Sequence, residues 1–536
     1  MRSNPAGGHV HVIAGDLTRL ACDAWLIPTD QDFRISGSFA RALGVEADTC
    51  LSGLSWDGSR VLRLPGTEPT AQQWLGDVGA WGEDASWYAE VVDPFVAAAS
   101  AHLRPRIDGR PPLLGLNVLG TGEGGMEADK GAIHEAVLPA MYRAAARHGA
   151  DLVLVCWGRR AYSAAQRVRR RLLQAKYAGD HSFLWDLGPR SDDLVVAARR
   201  LAQDARRRDL VLFLGAGVSA GAGLPAWQGL LDGVARRVGM TEELLGRLRR
   251  LDLRDQAAVL QRRLGSARAL HDVIAGQLLH TSYALTHGHL ASLPTSEAVT
   301  TNYDQLFEAA VAPVDGTMAV LPYQPVRRGE RWLLKLHGSI DRDDSIVLTR
   351  SDYLGVPARH GALFGLVQAM LLTRHMLFVG YSLSDEDFHQ LVHGVRLALA
   401  GAEHAAQFGT VLALFDDPLF ADLWSEDLEV VAVADEPDGE PSPAEVACAA
   451  RRLQILLDLI AFEAADLDAF LLDPTYAGLL SAPEARLARS LQALADDPEV
   501  TGAADDLPAG ARVRRLLREL GLPHPEPEAG GSAPQI

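Results

Sequence analysis

Short apolar runs, each closed by a small or polar cluster, organise this chain and read as buried strands. Leu210–Leu214 (LVLFL) leads into the glycine-rich GAGVSAGAGLPAW, Gly215–Trp227. Ala298–Glu308 (AVTTNYDQLFE), Trp332–Asp341 (WLLKLHGSID) and Leu377–Phe388 (LFVGYSLSDEDF) repeat the pattern. The runs are apolar without alternation, so they predict parallel strands buried on both faces, delivering side chains at the carboxyl ends where ligands sit. Earlier in the chain, His9–Asp30, Pro112–Gly125 and Asp151–Gly158 carry the same signal, with an Ala-rich helical stretch at Ile133–His148. Strands alternating with helices predict an α/β layer architecture in both regions.

Beyond residue 434 the pattern changes. DEPDGEPSPAE, Asp435–Glu445, has the content of a solvated linker. After it, Leu453, Leu456, Leu457 and Ile460 recur at helical spacing, and two further helical stretches are predicted at Glu484–Ala495 and Gly510–Leu520. The expected organisation is a first domain over 1–192, a second over 193–434, a helical C-terminal module over 446–522, and a disordered tail over 523–536.

The loop after Leu214 suggests anion binding. Gly215, Gly217 and Gly221 carry no Cβ to obstruct an approach to phosphate oxygens, and a following helix would present its positive dipole end. The spacing G-x-G-x-x-x-G is one residue longer than the usual dinucleotide fingerprint. Such a loop can equally be a tight strand-to-helix connection, and what adds weight is its company. Strand, Gly loop, helix, then strand-Asn-x-Asp, strand-His-Gly and strand-Gly-Tyr-Ser, in that order, resembles the sirtuin superfamily of NAD-consuming enzymes. The wording of TNYD and KLHGSID, with Trp227 closing the Gly loop, is more specifically similar to bacterial sirtuin-like NAD hydrolases of antiphage defence. The resemblance covers roughly residues 209–432.

The resemblance implies NAD as substrate. Cleaving the nicotinamide–ribose bond builds positive charge on the sugar, as in glycoside hydrolysis. Gly215, Ala216, Gly217 and Ser219 are the expected phosphate cradle, with Ser219 adding a hydroxyl. Asn302 suits a ribose hydroxyl or the attacking water. Asp304 would stabilise the forming cation or bind the nicotinamide amide, and His337 can accept a proton at neutral pH. Gly380, Ser382 and Asp385 are expected to contact the adenosine side. In isolation, Asn302 and Asp304 read equally as helix caps, His337 as a core histidine, and Ser384–Asp387 as a helix start.

In the first region, Gly15-Asp16 after a strand with GTGEGG later resembles the macro domain, a fold that binds ADP-ribose. By that likeness Asp16 meets the adenine, and Gly120, Thr121, Gly122, Gly124 and Gly125 hold the phosphates. Pro28, Thr29 and Asp30 stand where many macro domains carry an Asn-rich segment, which puts hydrolysis by this region in doubt. A plain loop on a degenerate scaffold is the alternative, and a sensor for an NAD-derived nucleotide activator is the expectation. The fold class expected overall is α/β: a Rossmann-like, sirtuin-like parallel sheet preceded by an α/β macro-like domain and followed by the small helical module.

Composition narrows the function classes. A net charge of −18, from 69 acids against 51 Lys plus Arg, makes nucleic acid an unlikely partner. The basic runs at Arg167–Arg171 and around Arg199–Arg208 read as solvated helix faces or linker. Four scattered cysteines give no disulfide framework and no zinc module, so no metal is expected; sirtuin deacylases carry a four-cysteine zinc module, so the resemblance without that module disfavours protein deacylation. No run approaches the ~20 apolar residues of a membrane helix, and a cytoplasmic protein is expected. An enzyme that destroys NAD needs restraint, so a homo-oligomer or ligand control is expected. The alternatives are a non-enzymatic NAD or ADP-ribose sensor and an ADP-ribosyltransferase.

Overall fold

A computed structural model describes residues 7–65, 71–79, 83–121, 125–343, 345–399, 407–497 and 508–522. The first sheet has six strands in the order β1 (Val10–Ala14), β8 (Asp151–Cys156), β7 (Leu113–Asn117), β2 (Ala24–Thr29), β6 (Gln72–Asp77) and β5 (Val61–Arg63). All neighbours are parallel except β5 against β6 at the edge. A two-residue ladder of β3 (Arg34–Ile35) and β4 (Thr49–Cys50) stands beside it.

The second sheet has seven strands, all parallel, in the order β11 (Ala319–Leu321), β12 (Trp332–Lys335), β10 (Glu297–Thr300), β9 (Leu210–Leu214), β13 (His375–Val379), β14 (Gly409–Phe415) and β15 (Leu428–Ala434). Every residue of β9 is buried, as its unbroken apolar sequence requires. The chain leaves β9 toward β10 and β12 on one side, then returns to β13 on the other. The reversal opens a crevice beyond the carboxyl ends of β9, β10 and β13, where open α/β sheets bind ligands.

One apolar core runs through both sheets, joining Ile13, Ile27 and Val155 of the first to Leu210, Leu212 and Leu377 of the second. The helix Pro443–Ala464 fills the seam between them. It starts where the acidic linker ends, with Ser442 and Glu445 forming a capping box. Leu453, Leu456, Leu457 and Ile460 are all buried, as are Ile455, Leu459 and Phe462, so the helix is apolar on nearly every side. It is thus central to the packing. Two shorter helices, Ala482–Ala495 and Pro508–Glu519, lie outside this core and pack with Leu471 and Leu472. The tail expected to be disordered lies outside the described residues.

Here the reading of Arg167–Arg171 as a solvated face is corrected. Arg169 is fully buried, and its Nη2 lies 2.6 Å from Asp458 Oδ2 on the seam helix. Arg167 pairs with Glu484, Arg170 donates to the Phe462 carbonyl, and Arg171 pairs with Glu135. The run is the platform on which the C-terminal helices dock. Asp458 also accepts from the Val12 amide at 3.1 Å, the Trp185 indole at 2.7 Å and His9 Nε2 at 3.1 Å. Burial alone would raise its pKa, but Arg169 and His9 hold it well below the carboxylate range.

Removing one partner of a buried pair strands the other charge. Asp458→Ala is therefore expected to cost about 3–5 kcal/mol in urea unfolding, while Asp458→Leu combined with Arg169→Met recovers most of it. A single substitution without measurable cost would refute this role. Burial also pushes His134 and His289 down to about 4, against about 6.5 in an unfolded chain. Between those values the unfolded chain binds more protons, so stability is lost as pH falls from about 6.5 toward 4. Thermal unfolding across that range is expected to show the decline, shallower in His289→Gln.

Candidate functional site

A cleft of about 520 Å³ opens at the crevice of the second sheet. Ala216, Gly217, Ser219, Asn302, Asp304, His337, Gly380, Ser382 and Asp385 all line it, so three separate strand ends and the Gly loop converge there. Gly215 sits just behind, and its carbonyl receives the Asn302 amide at 3.0 Å.

The Gly loop departs from the expected design. Two 3-10 turns, Ala216–Val218 and Ala220–Ala222, come before the helix Trp227–Arg237 starts, so no helix terminus directly follows the glycines. The Gly215 N–H donates to Val379 O, Gly217 N–H to Gly380 O, Val218 N–H to Gly215 O and Ser219 N–H to Ala216 O. These amides are committed within the protein. The glycines serve close approach instead: a Cβ on Gly215 would sit 2.3 Å from Gly380 O, and one on Gly217 would sit 2.8 Å from Gly380 Cα. Gly380 itself has φ +64° with Val218 N 2.5 Å from its Cβ position. The loops after β9 and β13 are thereby pressed together as one unit. Gly221 faces away, against the Ala284 side chain.

Ser219 is the hub of the cleft floor. Its hydroxyl donates to Asp304 Oδ2 at 2.9 Å and receives Asn302 Nδ2 at 3.3 Å. His287 Nε2 lies 3.4 Å from the same oxygen, while its Nδ1 accepts from the Ala284 amide, which places the ring proton on Nε2. Burial pushes His287 down to about 4, so the ring is neutral. Asp304 spends its other oxygen on the amide of Leu306, the first residue of the helix Leu306–Asp315, at 3.0 Å. Its backbone carbonyl takes the buried Lys335 ammonium at 2.6 Å. Both Asp304 oxygens therefore hold the floor in place.

His337 follows β12 and is buried, with its ring edge toward Tyr353 at 5.3 Å. Its Nε2 faces Asp385 Oδ2 at 3.6 Å and Asp387 Oδ2 at 3.8 Å, longer than hydrogen bonds. Burial lowers its pKa against the opposing pull of Asp385, so the imidazole is neutral at neutral pH. Asp387 is pushed up to about 6 by burial and by Asp385. Asp385 was expected toward the adenosine side, yet its carboxylate faces His337. An imidazole with two carboxylates, their ligand atoms all within 4.8 Å, is also a donor set a divalent cation accepts. Ser382 is exposed and hydrogen-bonded to Ser384 at 2.6 Å.

His287, Arg254, Trp227 and Tyr353 escaped the sequence reading as site residues. Trp227 and Tyr353 stack at 6.1 Å to form a wall of the cleft. His287 and Arg254 lie on helices with no motif to mark them.

A second cleft, about 500 Å³, opens on the first sheet and is lined by Asp16, Gly120 and Thr121, with Asp30, Asn117 and Lys130 nearby. Gly125 is outside its lining and donates its N–H to Glu127. Gly122 and Gly124 lie outside the described residues. Asp16 Oδ1 accepts from Thr18 N and Oγ1, so the carboxylate caps the turn Leu17–Arg19. The backbone of Asp16 is joined to the other sheet's region, because the Tyr283 hydroxyl donates to Asp16 O at 2.9 Å and accepts from Asp16 N at 2.8 Å. Tyr283, behind Asp16 of one cleft, and His287, behind Ser219 of the other, are four residues apart.

Residues 296–430 match a family model described as SIR2-like domain. An NAD(+) hydrolase ThsA of Enterococcus faecium is 27% identical over 215 residues, covering 39% of this chain and 44% of that protein. ThsA of Bacillus cereus (strain MSX-D12) is 26% identical, with 37% of this chain and 42% of that protein covered. Defense-associated sirtuin 2 of Bacillus subtilis is 24% identical over 38% of this chain and 21% of its own length. The chain thus spans less than half the length of the curated relatives it matches. Among solved structures, an Oceanobacillus iheyensis macrodomain with ADP aligns at 14% identity and TM-score 0.25, covering 32% of this chain and 96% of the macrodomain. No helix among the described residues is long and apolar enough to cross a membrane.

Proposed function

We propose that this chain, whose residues 296–430 match the SIR2-like domain, is an NAD+ hydrolase that releases nicotinamide and leaves ADP-ribose. The observation that carries the reading is that Asn302 and His337, from separate strand ends, line one open cleft together with the Gly loop. The names of the ThsA relatives support it. In the reaction, the C1′–N1 bond breaks and its electron pair leaves with nicotinamide. The oxocarbenium-like sugar is then met by water, whose proton passes to neutral His337. Asn302, anchored through its NH2 group on Gly215 O and Ser219, orients the ribose hydroxyl or that water through its remaining acceptor oxygen. Asp304 acts through Ser219. No step needs a metal.

The biological role in this reading is antiphage defence by depletion of the cell's own NAD in the cytoplasm. An NAD-derived nucleotide bound at the first cleft is the proposed activator, and assembly of several chains would set a second level of control. Support for coupling comes from Tyr283–His287, which ties the Asp16 backbone to the Ser219 hub.

Purified full-length chain is expected to release nicotinamide from NAD, with Asn302→Ala and His337→Ala each lowering kcat about 10²–10⁴-fold, the span of a lost acid–base or orienting group. Full turnover in both variants would sink the assignment. Tight, unreacted NAD in wild type and His337→Ala would make the protein a sensor, and label retained on macromolecule would make it a transferase. Added ADP-ribose is expected to stimulate the wild type below saturating NAD. Lys130→Ala, which alters the first cleft alone, is expected to lose that response while keeping basal turnover.

A further inference from the structure

We propose that Arg254 is the residue that grips the diphosphate of the dinucleotide, and that Glu386 holds the same guanidinium until the substrate displaces it. The proposal rests on the NAD reading and supplies a group which that reading leaves unassigned. A diphosphate brings two negative charges into a cleft whose walls already carry Asp252, Asp304, Asp385 and Glu386. Repulsion of that kind must be offset inside the cleft. The Gly loop cannot do so with the amides of Gly215, Gly217, Val218 and Ser219, each committed to a backbone carbonyl. Among the described residues lining the cleft, Arg254 is the one Lys or Arg.

The setting of Arg254 is that of a waiting anion receptor. It stands in the first turn of the helix Leu253–Leu264, with its guanidinium 5.2 Å from the centre of the Tyr353 ring. Its side chain is 14% exposed, whereas that of Glu386 is 65% exposed. The cation is thus fixed in the wall, and its partner reaches over from solvent to meet Nη1 at 2.7 Å. Asp252 holds Nε at 3.1 Å and is itself tied to Arg350, so it can stay in place. An exposed carboxylate contributes little to such a pair. A diphosphate offers two charges and the parallel acceptors that a guanidinium fork matches, so it should win the exchange. Arg254 and Glu386 belong to different helices, and the exchange unties those helices at the cleft rim.

The test uses the full chain carrying Lys130→Ala, which silences the first cleft, with calorimetry for inorganic pyrophosphate and ADP-ribose and initial rates on NAD. Arg254→Ala is expected to raise the Kd of both ligands and the KM for NAD about tenfold or more, with kcat changed less than about threefold. Arg254→Lys should recover part of the loss, since it keeps the charge without the fork. Glu386→Gln, by removing the competitor, should tighten pyrophosphate binding. Equal affinity in that Lys130→Ala parent and with Arg254→Ala added, at an unchanged unfolding temperature, or weaker binding with Glu386→Gln added, overturns the proposal. So does a parent that binds neither ligand. A parent that leaves NAD intact yet binds pyrophosphate through Arg254 upholds the grip and defeats the hydrolase reading instead.

Discussion

The buried carboxylate of Asp458 is the constraint on which the architecture turns. It receives a guanidinium, an indole, an imidazole and a backbone amide, contributed by Arg169, Trp185, His9 and Val12. A charge taken out of water is tolerable only when it is both paired and saturated with donors. These donors come from β1, the helix Gly158–Tyr177 and the turn before the helix Ser191–Arg206. One acceptor thus sets where the seam helix lies against the first sheet. Packing of the same helix against β14, β15 and the helix Ser191–Arg206 then sets where the second sheet lies.

The frame explains why two clefts on two sheets can share a short connector. The helix Leu285–Ser292 packs on β1, where Gly288 is pressed so close to Ile13 that a Cβ would stand 2.6 Å from its side chain. Ser292 Oγ takes the Ala14 amide at 2.9 Å. At the head of that helix the chain touches Asp16 through Tyr283 and Ser219 through His287. Its position is over-determined, so displacement at one end has few soft contacts in which to dissipate.

What the sequence made legible follows from how parallel sheets are built. Strands such as LVLFL announce themselves because both faces are covered, and Asn302, His337 and Gly380 are found because each lies within two residues of the end of such a strand. Local signals fail where the partner is remote. Arg169 reads as a solvated charge because nothing near it predicts Asp458, 289 residues away. The Gly loop reads as a row of free amides because the carbonyls that occupy them are set by its fold: Gly215 O and Ala216 O within the loop, and Val379 O and Gly380 O at the end of β13. Arg254 and His287 sit in helices whose sequence gives no sign that one end borders a cleft.

The order of elements along the chain has a consequence in time. Both sheets are complete by Ala434, yet the helix that fills the seam between them is translated afterwards, over Pro443–Ala464. Until those residues clear the ribosome, Arg169 lacks Asp458, and the surfaces that the helix covers on β1, β14 and β15 are open. The common core is therefore completed by the last element to enter it, Pro443–Ala464.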